Sequence, residues 1–221
     1  MRVRFAACLV LGVIAGAGST AAQDDSDVER ALAAIRAKAA AGDVIAQFSL
    51  GSLLYYGGDD TTAAVEWIRK AADRQYAPAE FQLGQLYDFG FGVSQDDRAA
   101  FDWYRRAGDR GHAAAARAVG DFYRKGRIVV ASAAEAARWY LRAAEGDDIR
   151  GQYQLAQLYF DGVGVARDYP AAYLWFSIAA GQAPLPDNRD GLLELRNIAA
   201  ARMTEAQLAE AKHRVAAWKP R

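Results

Sequence analysis

Four tryptophans at a constant spacing are the feature that most constrains the fold of this chain. Trp67, Trp103, Trp139 and Trp175 follow one another at intervals of 36 residues. A residue suited to capping a helix precedes each tryptophan by seven positions; these residues are Asp60, Asp96, Ser132 and Asp168. A fixed period of this length is typical of a repeat array, in which each unit buries its apolar face against the next.

Each repeat contains the pattern of two helices. In the second repeat, Ala79, Leu83 and Tyr87 recur at the spacing of one helical face. Gly90 follows where a left-handed residue would end that helix. The second helix begins at the Asp or Ser cap, whose side-chain oxygen accepts an unpaired backbone N–H, and the aromatic pair that starts with each Trp is expected between helices. The glycines that correspond to Gly90 are Gly57, Gly126 and Gly162, and the first repeat has a loop three residues shorter.

The motif that begins at Ala79 identifies a family resemblance. It runs Ala-x-x-x-Leu-Gly-x-x-Tyr-x-x-Gly-x-Gly-Val and continues through Asp96, Trp103 and Ala107. This string resembles the Sel-one-like repeat, a relative of the tetratricopeptide repeat. Residues 151–180 match it as well, whereas the third repeat departs from it in the loop, where Arg127-Ile128-Val129 replaces the glycine-rich turn. The likeness covers residues 43–181.

The resemblance implies an all-α fold, a right-handed α-α superhelix or solenoid of about four helix-turn-helix repeats with capping helices at both ends. We expect the repeats in residues 43–182, an acidic linker and N-terminal capping helix in residues 23–42, and C-terminal capping helices in residues 183–221. Thr204 and Gln207 form the pattern of a capping box at the start of the last helix. The resemblance also implies a non-enzymatic adaptor with a concave binding face.

Residues 1–22 have the composition of a signal peptide. Arg2 and Arg4 precede an apolar run that ends at Ala17, and small residues lead to Ala22. The run is shorter than the roughly 20 residues of a membrane-spanning helix, and an uncleaved anchor is the alternative. Cleavage would remove two of the 27 basic residues and none of the 27 acidic ones. We therefore expect a slightly acidic mature protein that is periplasmic or secreted, without stable membrane insertion.

The sequence offers no constellation for catalysis or metal binding. The only cysteine, Cys8, lies in the leader, and His112 and His213 are far apart and without neighbouring ligands. The turns at Gly90 and Gly162 lack the later glycine and the strand of a dinucleotide site. We expect no enzymatic activity, no cofactor, no metal site, and two histidines on the solvated surface. Nucleic acid is a poor candidate ligand because the mature chain is slightly acidic.

The candidate binding site is the face of each first helix that lies opposite its packing face. In tetratricopeptide-like units this face lines the concave groove, so the assignment comes from the resemblance. Seven of its sixteen positions are aromatic, against 11% of the whole chain, and aromatic residues dominate binding hot spots. For Phe48, Phe81 and Tyr153, burial between neighbouring first helices is an equally favoured alternative, and Ser52 completes the set. The residues expected to contact a partner are Tyr55, Tyr56, Gln85, Asp88, Phe89, Arg117, Asp121, Arg124, Lys125, Gln157, Phe160 and Asp161.

Three functions are consistent with these patterns. The favoured one is an exported scaffold or adaptor that binds a protein or peptide in its groove. The second is cell-wall processing, which the resemblance associates with cysteine-rich members of the family, although the expected mature chain has no cysteine. The third is binding of peptidoglycan strands without cleavage, through the aromatic surface. A local basic stripe suits an acidic peptide or a plain solvated surface; it comprises Arg105, Arg106, Arg117, Arg124, Lys125 and Arg127.

Overall fold

The computed structural model describes residues 21–58 and 60–220, so the predicted leader lies outside the described residues except for its last two. The described residues form eleven helices and no strand, which confirms the all-α fold. None of these helices is both long and apolar enough to span a membrane. In chain order they are α1 (Ala21–Ala40), α2 (Val44–Gly57), α3 (Thr61–Asp73), α4 (Ala77–Phe89), α5 (Asp97–Asp109), α6 (Ala113–Lys125), α7 (Ala133–Glu145), α8 (Ile149–Asp161), α9 (Tyr169–Gln182), α10 (Pro186–Ala200) and α11 (Glu205–Ala217).

The second helix of each repeat begins at the predicted cap. The Asp60 carboxylate accepts a hydrogen bond from the Ala63 N–H at 2.9 Å, and the Asp168 carboxylate accepts one from the Ala171 N–H at 2.8 Å. Asp96 and Ser132 cap α5 and α7 in the same way. Each side chain satisfies an N–H that has no partner within its helix, which is why the capping residues recur with the repeat.

Left-handed glycines end the first helices of the repeats. Gly90, Gly126 and Gly162 follow α4, α6 and α8 with φ of 71°, 68° and 71°. In the first repeat the left-handed residue is Gly58, with φ of 70°. Gly57, which the alignment placed at this position, is instead the last residue of α2. The shorter loop of this repeat therefore moves the helix end by one residue.

The loops after α4, α6 and α8 share one backbone conformation. In each loop, the first N–H after the left-handed glycine bonds to a carbonyl in the last turn of the helix; Phe91 to Leu86, for example, at 2.9 Å. The position two residues after that glycine also has positive φ, and in the third repeat it is Ile128, with φ of 54°. The loop that departs from the glycine-rich motif in sequence thus keeps the motif's backbone, at a residue type that rarely adopts it.

The residue after each tryptophan is buried more deeply than the tryptophan itself. Ile68, Tyr104, Tyr140 and Phe176 expose at most 2% of their surface. Trp139 and Trp175 are also buried, but Trp67 and Trp103 are only partly buried. The expectation that the aromatic pair lies between helices is therefore right for the second member of every pair and for the tryptophan of the last two repeats.

Small residues on the first helices allow this deep packing. A Cβ added at Gly51 would lie 2.6 Å from the Ile68 side chain, and one at Gly120 would lie 2.6 Å from the Tyr140 ring. Both distances are shorter than real Cβ contacts. The absence of a side chain at these glycines therefore allows α2 to pack closely against α3, and α6 against α7. A larger side chain at either glycine would displace the core residue beneath it.

The helices form two compact units, one that ends at Trp103 and one that begins at Tyr104. In the first unit, α1 packs its apolar face, with Val28, Leu32 and Ile35, against Leu53 of α2. Residues 23–26, expected as an acidic linker, belong to α1 and are helical.

The second unit has one large core. Tyr140, Leu155 and Phe176 form its centre, and α10 and α11 pack against α9 through residues such as Leu192 and Ala211. The helix α11 starts with the predicted capping box of Thr204 and Gln207.

Candidate partner-binding surface

Four aromatic rings form an exposed cluster in the first unit. Tyr55 lies 5.1 Å from Tyr56 and 6.4 Å from Phe91, and Phe91 lies 5.8 Å from Phe89, measured between ring centroids. Tyr56, Phe89 and Phe91 expose 67%, 60% and 50% of their surface. We call these four residues the aromatic cluster. Three of them were predicted on the binding face, and the structure brings them together.

Two helix ends and one loop build the aromatic cluster. Tyr55 and Tyr56 lie in the last turn of α2, and Phe89 is the last residue of α4. Phe91 lies between two glycines with positive φ, Gly90 and Gly92. A Cβ at Gly92 would lie 3.1 Å from the backbone oxygen of Thr61, so this loop runs directly against the start of α3.

Phe91 was missed in the sequence because the helical face was counted only to the end of α4. The signal that could have found it was an apolar aromatic residue between two turn glycines, where no helix buries it. The neighbouring Tyr55 is partly buried, and this burial, with a smaller effect from Tyr56, raises the pKa of its phenol. Tyr55 is therefore the partly buried member of the aromatic cluster, and its ring contacts those of Tyr56 and Phe91.

The other predicted positions of the first unit are less exposed. Gln85 and Asp88 are partly buried along α4. Ser52 donates a hydrogen bond to Gln82 Oε1 at 2.8 Å in a buried contact between α2 and α4. Phe48 is partly buried with its ring edge-on to Tyr76 at 5.3 Å. For Phe48, packing between helices is thus the better description, and the exposed part of the face lies at the helix ends.

In the second unit, the predicted charged residues form a network of ion pairs. Arg117 lies 3.2 Å from the Asp148 carboxylate and 3.3 Å from the Asp121 carboxylate. The Tyr140 hydroxyl donates to Asp121 at 2.7 Å and accepts from Arg124 Nε at 3.1 Å. The hydrogen bond with Tyr140 raises the pKa of Arg124. Burial, followed by the charge and hydrogen bond of Asp121, raises the pKa of Tyr140.

This network connects α6, α7 and the start of α8. Arg117 and Asp121 expose 21% and 26% of their side chains, so much of their charge is directed to partners within the protein. Arg124 and Lys125 at the end of α6 are exposed. Tyr140 was not predicted as part of this site. A buried tyrosine hydroxyl generally needs a hydrogen-bond partner, and the predicted residues of the adjacent helix α6 are all charged, so this contact could have been expected.

The predicted residues of α8 also have partners within the second unit. Gln157 donates from Nε2 to the Tyr153 hydroxyl at 2.6 Å. The Phe160 ring lies edge-on to Tyr169 at 5.5 Å, and the guanidinium of Arg202 lies 5.1 Å from the Phe160 centroid. Phe160 is therefore partly covered by a residue that follows the last repeat.

Tyr153, in the first half of α8, and Asp161, its last residue, differ in exposure. Tyr153 is partly buried, with its ring 6.2 Å from the ring of Phe176. Asp161 is exposed, and its backbone oxygen accepts a hydrogen bond from Arg167. Packing against the core thus describes Tyr153, as it does Phe48.

His112 caps a helix rather than lying free on the surface. It is partly buried, and its Nδ1 accepts a hydrogen bond from the Ala115 N–H at 3.3 Å at the start of α6. Burial lowers its pKa, while its backbone hydrogen bond and the charge of Asp148 act in the opposite direction. The expectation of a solvated His112 is wrong; that of an exposed His213 is right.

An open cleft lies beside α9 and α11 in the second unit. Its volume is about 560 Å³, and the indoles of Trp175 and Trp218 meet edge-on in its wall at 6.3 Å. Glu145, Glu210 and His213 also line it. Among residues 21–58 and 60–220, no three His, Cys, Asp or Glu side chains form a group that could hold a metal ion.

Comparison with known families identifies the repeats. Four consecutive segments match the Sel1 repeat, at residues 44–76, 77–112, 113–148 and 149–183. The chain belongs to the Sel1 repeat family. Sel1 repeat proteins generally serve as scaffolds for protein interactions, and the fold is typically non-catalytic. The resemblance stated from the sequence motif is thereby confirmed.

Two solved Sel1-type structures are similar to this Sel1 repeat protein. A Sel1 repeat protein from Oxalobacter formigenes is 29% identical, with a TM-score of 0.65 and coverage of 77% of this chain and 79% of that one. A protective antigen of uropathogenic Escherichia coli with the SLR fold is 26% identical, with a TM-score of 0.52 and coverage of 97% of this chain and 51% of the antigen. No curated protein sequence matches this chain.

Proposed function

We propose that this Sel1 repeat protein is an exported scaffold that binds a protein or peptide partner through its aromatic cluster. The observation that carries the proposal is the exposure of Tyr56, Phe89 and Phe91, each at half or more of its surface. Contiguous exposed rings are characteristic of interaction sites. Rigid aromatic side chains also lose little conformational entropy when they become anchors of an interface.

The remaining predicted residues would contribute in different ways. Gln85 and Asp88 lie along α4 beside the aromatic cluster and would supply polar contacts. Arg124 and Lys125 carry exposed positive charge and would bind a separate part of a partner. Arg117 and Asp121 would act by holding the ion-pair network in place, since their charges are already engaged.

Binding is tested by crosslinking in living bacterial cells. A photoreactive amino acid at Tyr56 should yield a discrete crosslinked product, and the combined substitutions Phe89→Ala and Phe91→Ala should abolish it. A photoreactive residue at Val130 is the matched control, because Val130 is 88% exposed and lies in the corresponding region of the third repeat. Equal products from both positions, or a product that survives the double substitution, would contradict binding at the aromatic cluster.

Export is supported by the composition of residues 1–22 and is tested separately. The full chain, expressed in a Gram-negative host with a C-terminal tag, should accumulate in the periplasm with Gln23 as its first residue, as read by mass spectrometry. A variant without residues 2–22 should remain in the cytoplasm. Full-length protein that keeps residues 1–22 in the cytoplasm would contradict export.

Binding of cell-wall glycan is the second candidate, and the cleft beside α11 favours it. Clefts that combine aromatic walls with a few polar groups suit small polar ligands, and this one has two indoles and two carboxylates. Co-sedimentation with purified peptidoglycan sacculi should then depend on Trp218 and not on the partly buried Trp67. If Trp218→Ala and wild-type protein co-sediment with sacculi to the same extent, the cleft is not the glycan-binding site. We expect no release of soluble peptidoglycan fragments in this assay.

A further inference from the structure

We propose that a cleft at the start of α9 and α11 binds the carboxylate or phosphate group of a small organic ligand. Its volume is about 400 Å³, and the segments that lead into these two helices line it. The lining residues are Arg167, Asp168, Tyr169, Pro170, Arg202 and Gln207. We call it the arginine cleft. It shares no residue with the aromatic cluster or with the cleft beside Trp218, so it is independent of the proposed function.

The guanidinium of Arg202 is held in place by two aromatic rings. It lies 5.1 Å from the centroid of Phe160 and 5.6 Å from that of Tyr169. Its Nη1 also donates a hydrogen bond to the Ile198 carbonyl at 3.1 Å, and the Arg202 N–H bonds to the Ala199 carbonyl at 3.0 Å. Because the side chain is already fixed by these contacts, little conformational entropy is lost when it binds an anion.

Both guanidinium groups of the arginine cleft retain most of their hydrogen-bond donors. Arg167 donates from Nη2 to the Asp161 carbonyl at 3.2 Å, and Arg202 uses one donor in the same way. A guanidinium has five N–H donors. Both side chains are exposed, and among residues 21–58 and 60–220 neither forms an ion pair. Their remaining N–H groups are therefore available to a ligand.

The other polar groups of the arginine cleft are arranged for a ligand that accepts hydrogen bonds. Gln207 Oε1 accepts a hydrogen bond from the Thr204 N–H at 2.9 Å, which leaves the N–H donors of its amide for a ligand. The Asp168 carboxylate accepts from the Ala171 N–H at 2.8 Å, where the dipole of α9 offsets part of its charge. Donors thus outnumber acceptors in the cleft.

The charges that line the arginine cleft favour an anion over a neutral ligand. Arg167 and Arg202 contribute two positive charges, and Asp168 contributes one negative charge. The carboxylates of Asp161 and Glu205 are close in sequence, but they do not line the cleft, and both residues are exposed to screening by solvent and salt. Guanidinium groups bind two oxygens of a carboxylate or phosphate through parallel N–H donors. This geometry is the chemistry that the two ligand classes share.

The size and the walls of the arginine cleft indicate an organic ligand rather than a bare ion. Its volume of about 400 Å³ lies in the range of small-molecule sites and exceeds that of one phosphate or carboxylate group. Tyr169 and Pro170 are partly buried and line the cleft with their rings. A compact apolar body attached to the anionic group would pack against these rings.

Binding is measured by NMR titration of the purified protein, read from the side-chain Nε–H signals of Arg167 and Arg202. The probes are benzoate, phenyl phosphate, benzamide as the neutral match of benzoate, and inorganic phosphate as the anionic group alone. We expect benzoate, phenyl phosphate or both to saturate the cleft with a Kd of about 5 mM or below. Benzamide should bind at least about tenfold more weakly than benzoate. The preferred anion identifies which group the natural ligand carries.

Variants locate the binding to the arginine cleft. Gln207→Glu adds a negative charge and retains the capping box with Thr204, so it should abolish anion binding without lowering the melting temperature. Arg202→Gln should weaken binding at least about fivefold, and Arg202→Lys should weaken it less, since lysine keeps the charge and loses the planar fork. Arg196→Gln is the matched control and should bind as the wild type does. Arg196 also lies over an aromatic ring, 5.9 Å from the centroid of Tyr173, but outside the cleft.

Any of four results would overturn the inference. These are benzamide binding as tightly as benzoate, anion binding by Gln207→Glu that equals that of the wild type, and a Kd above about 5 mM for every anion. The fourth is binding of inorganic phosphate as tight as that of phenyl phosphate, which would show that the apolar walls contact no ligand. Crosslinking from Tyr56 tests the proposed function on different residues, so the two proposals can fail independently.

Discussion

The loops that end the first helices of the second and third repeats have the same backbone and opposite surfaces. After Gly90 and Gly126, the next N–H bonds to the carbonyl of Leu86 or Phe122, at 2.9 and 3.1 Å. The corresponding side chains are the exposed Phe89 and Phe91 in one loop, and the exposed Lys125 and the partly buried Arg127 in the other. The backbone conformation depends on these hydrogen bonds between backbone groups, so the side chains that point outward can differ while the loop keeps its conformation. This is how similar repeats can present different binding surfaces.

The two units also differ in whether the predicted face is occupied. In the first unit, three rings of the aromatic cluster remain half or more exposed. In the second unit, Arg117, Asp121, Arg124 and Tyr140 bond to one another. The same position on a repeat can therefore hold a free surface or a structural network, depending on whether the neighbouring helices supply complementary charge.

The largest expected effect concerns the positive-φ position of the shared loop, which should require glycine wherever the loop packs against another helix. Gly164 corresponds to Ile128 of the third repeat, but a Cβ at Gly164 would lie 2.3 Å from the backbone of Ala133. We expect Gly164→Ile to lower the free energy of unfolding by about 3 kcal/mol or more, since it adds overpacking and left-handed strain of about 1–3 kcal/mol each. Urea denaturation measures this. Gly181→Ala is the control because no heavy atom lies within 4 Å of the added Cβ.

The second prediction tests whether the network of the second unit is structural. Tyr140→Phe removes the hydroxyl that bonds both Asp121 and Arg124 and should lower the free energy of unfolding by about 1–3 kcal/mol. Tyr56→Phe, at a residue 67% exposed in the first unit, should leave it unchanged. Equal stability of wild type and Tyr140→Phe in urea would show that the network contributes nothing to folding.

The third prediction concerns the cost of the unusual third-repeat loop. Ile128 has φ of 54°, a conformation that strains a β-branched residue. Ile128→Gly should raise the free energy of unfolding by about 1 kcal/mol or less, because relief of strain of about 1–3 kcal/mol exceeds the entropy cost of glycine. The control Val130→Gly relieves no positive φ and should be neutral or destabilising. A lower denaturation midpoint for Ile128→Gly would contradict the strain.

The smallest expected effect is a pH dependence of stability, which the N-terminal cap of α6 should cause and that of α4 should not. Tyr76 provides α4 with no side-chain cap, whereas His112 caps α6 through its neutral Nδ1. The pKa of His112 is lowered below 6.5 by burial, so the unfolded chain binds its proton first. Stability should therefore be complete above about pH 6.5 and decrease as the pH falls below it. His112→Asn should reduce this dependence in thermal melts between pH 7.5 and 5, while His213→Asn should not.

Features that depend on hydrogen bonds between residues close in sequence were predictable. The caps at Asp60, Asp96, Ser132 and Asp168 and the left-handed glycines at Gly90, Gly126 and Gly162 lie where the motif placed them. The capping box at Thr204 and Gln207 is of the same kind. Each depends on one or two turns of chain, so a single sequence contains the information.

Features that depend on the distance between helices were not predictable. Periodicity predicted the positions of the tryptophans but not how deeply each is buried. Burial depends on which side chains of the adjacent helices pack against each tryptophan. Ser52 is buried by a hydrogen bond to Gln82, thirty residues later. Phe91 joins the aromatic cluster because its loop folds back against α3. Sequence periodicity thus determined the four helical repeats of this protein, whereas contacts between distant residues decided which of its charges pair internally and which rings remain exposed.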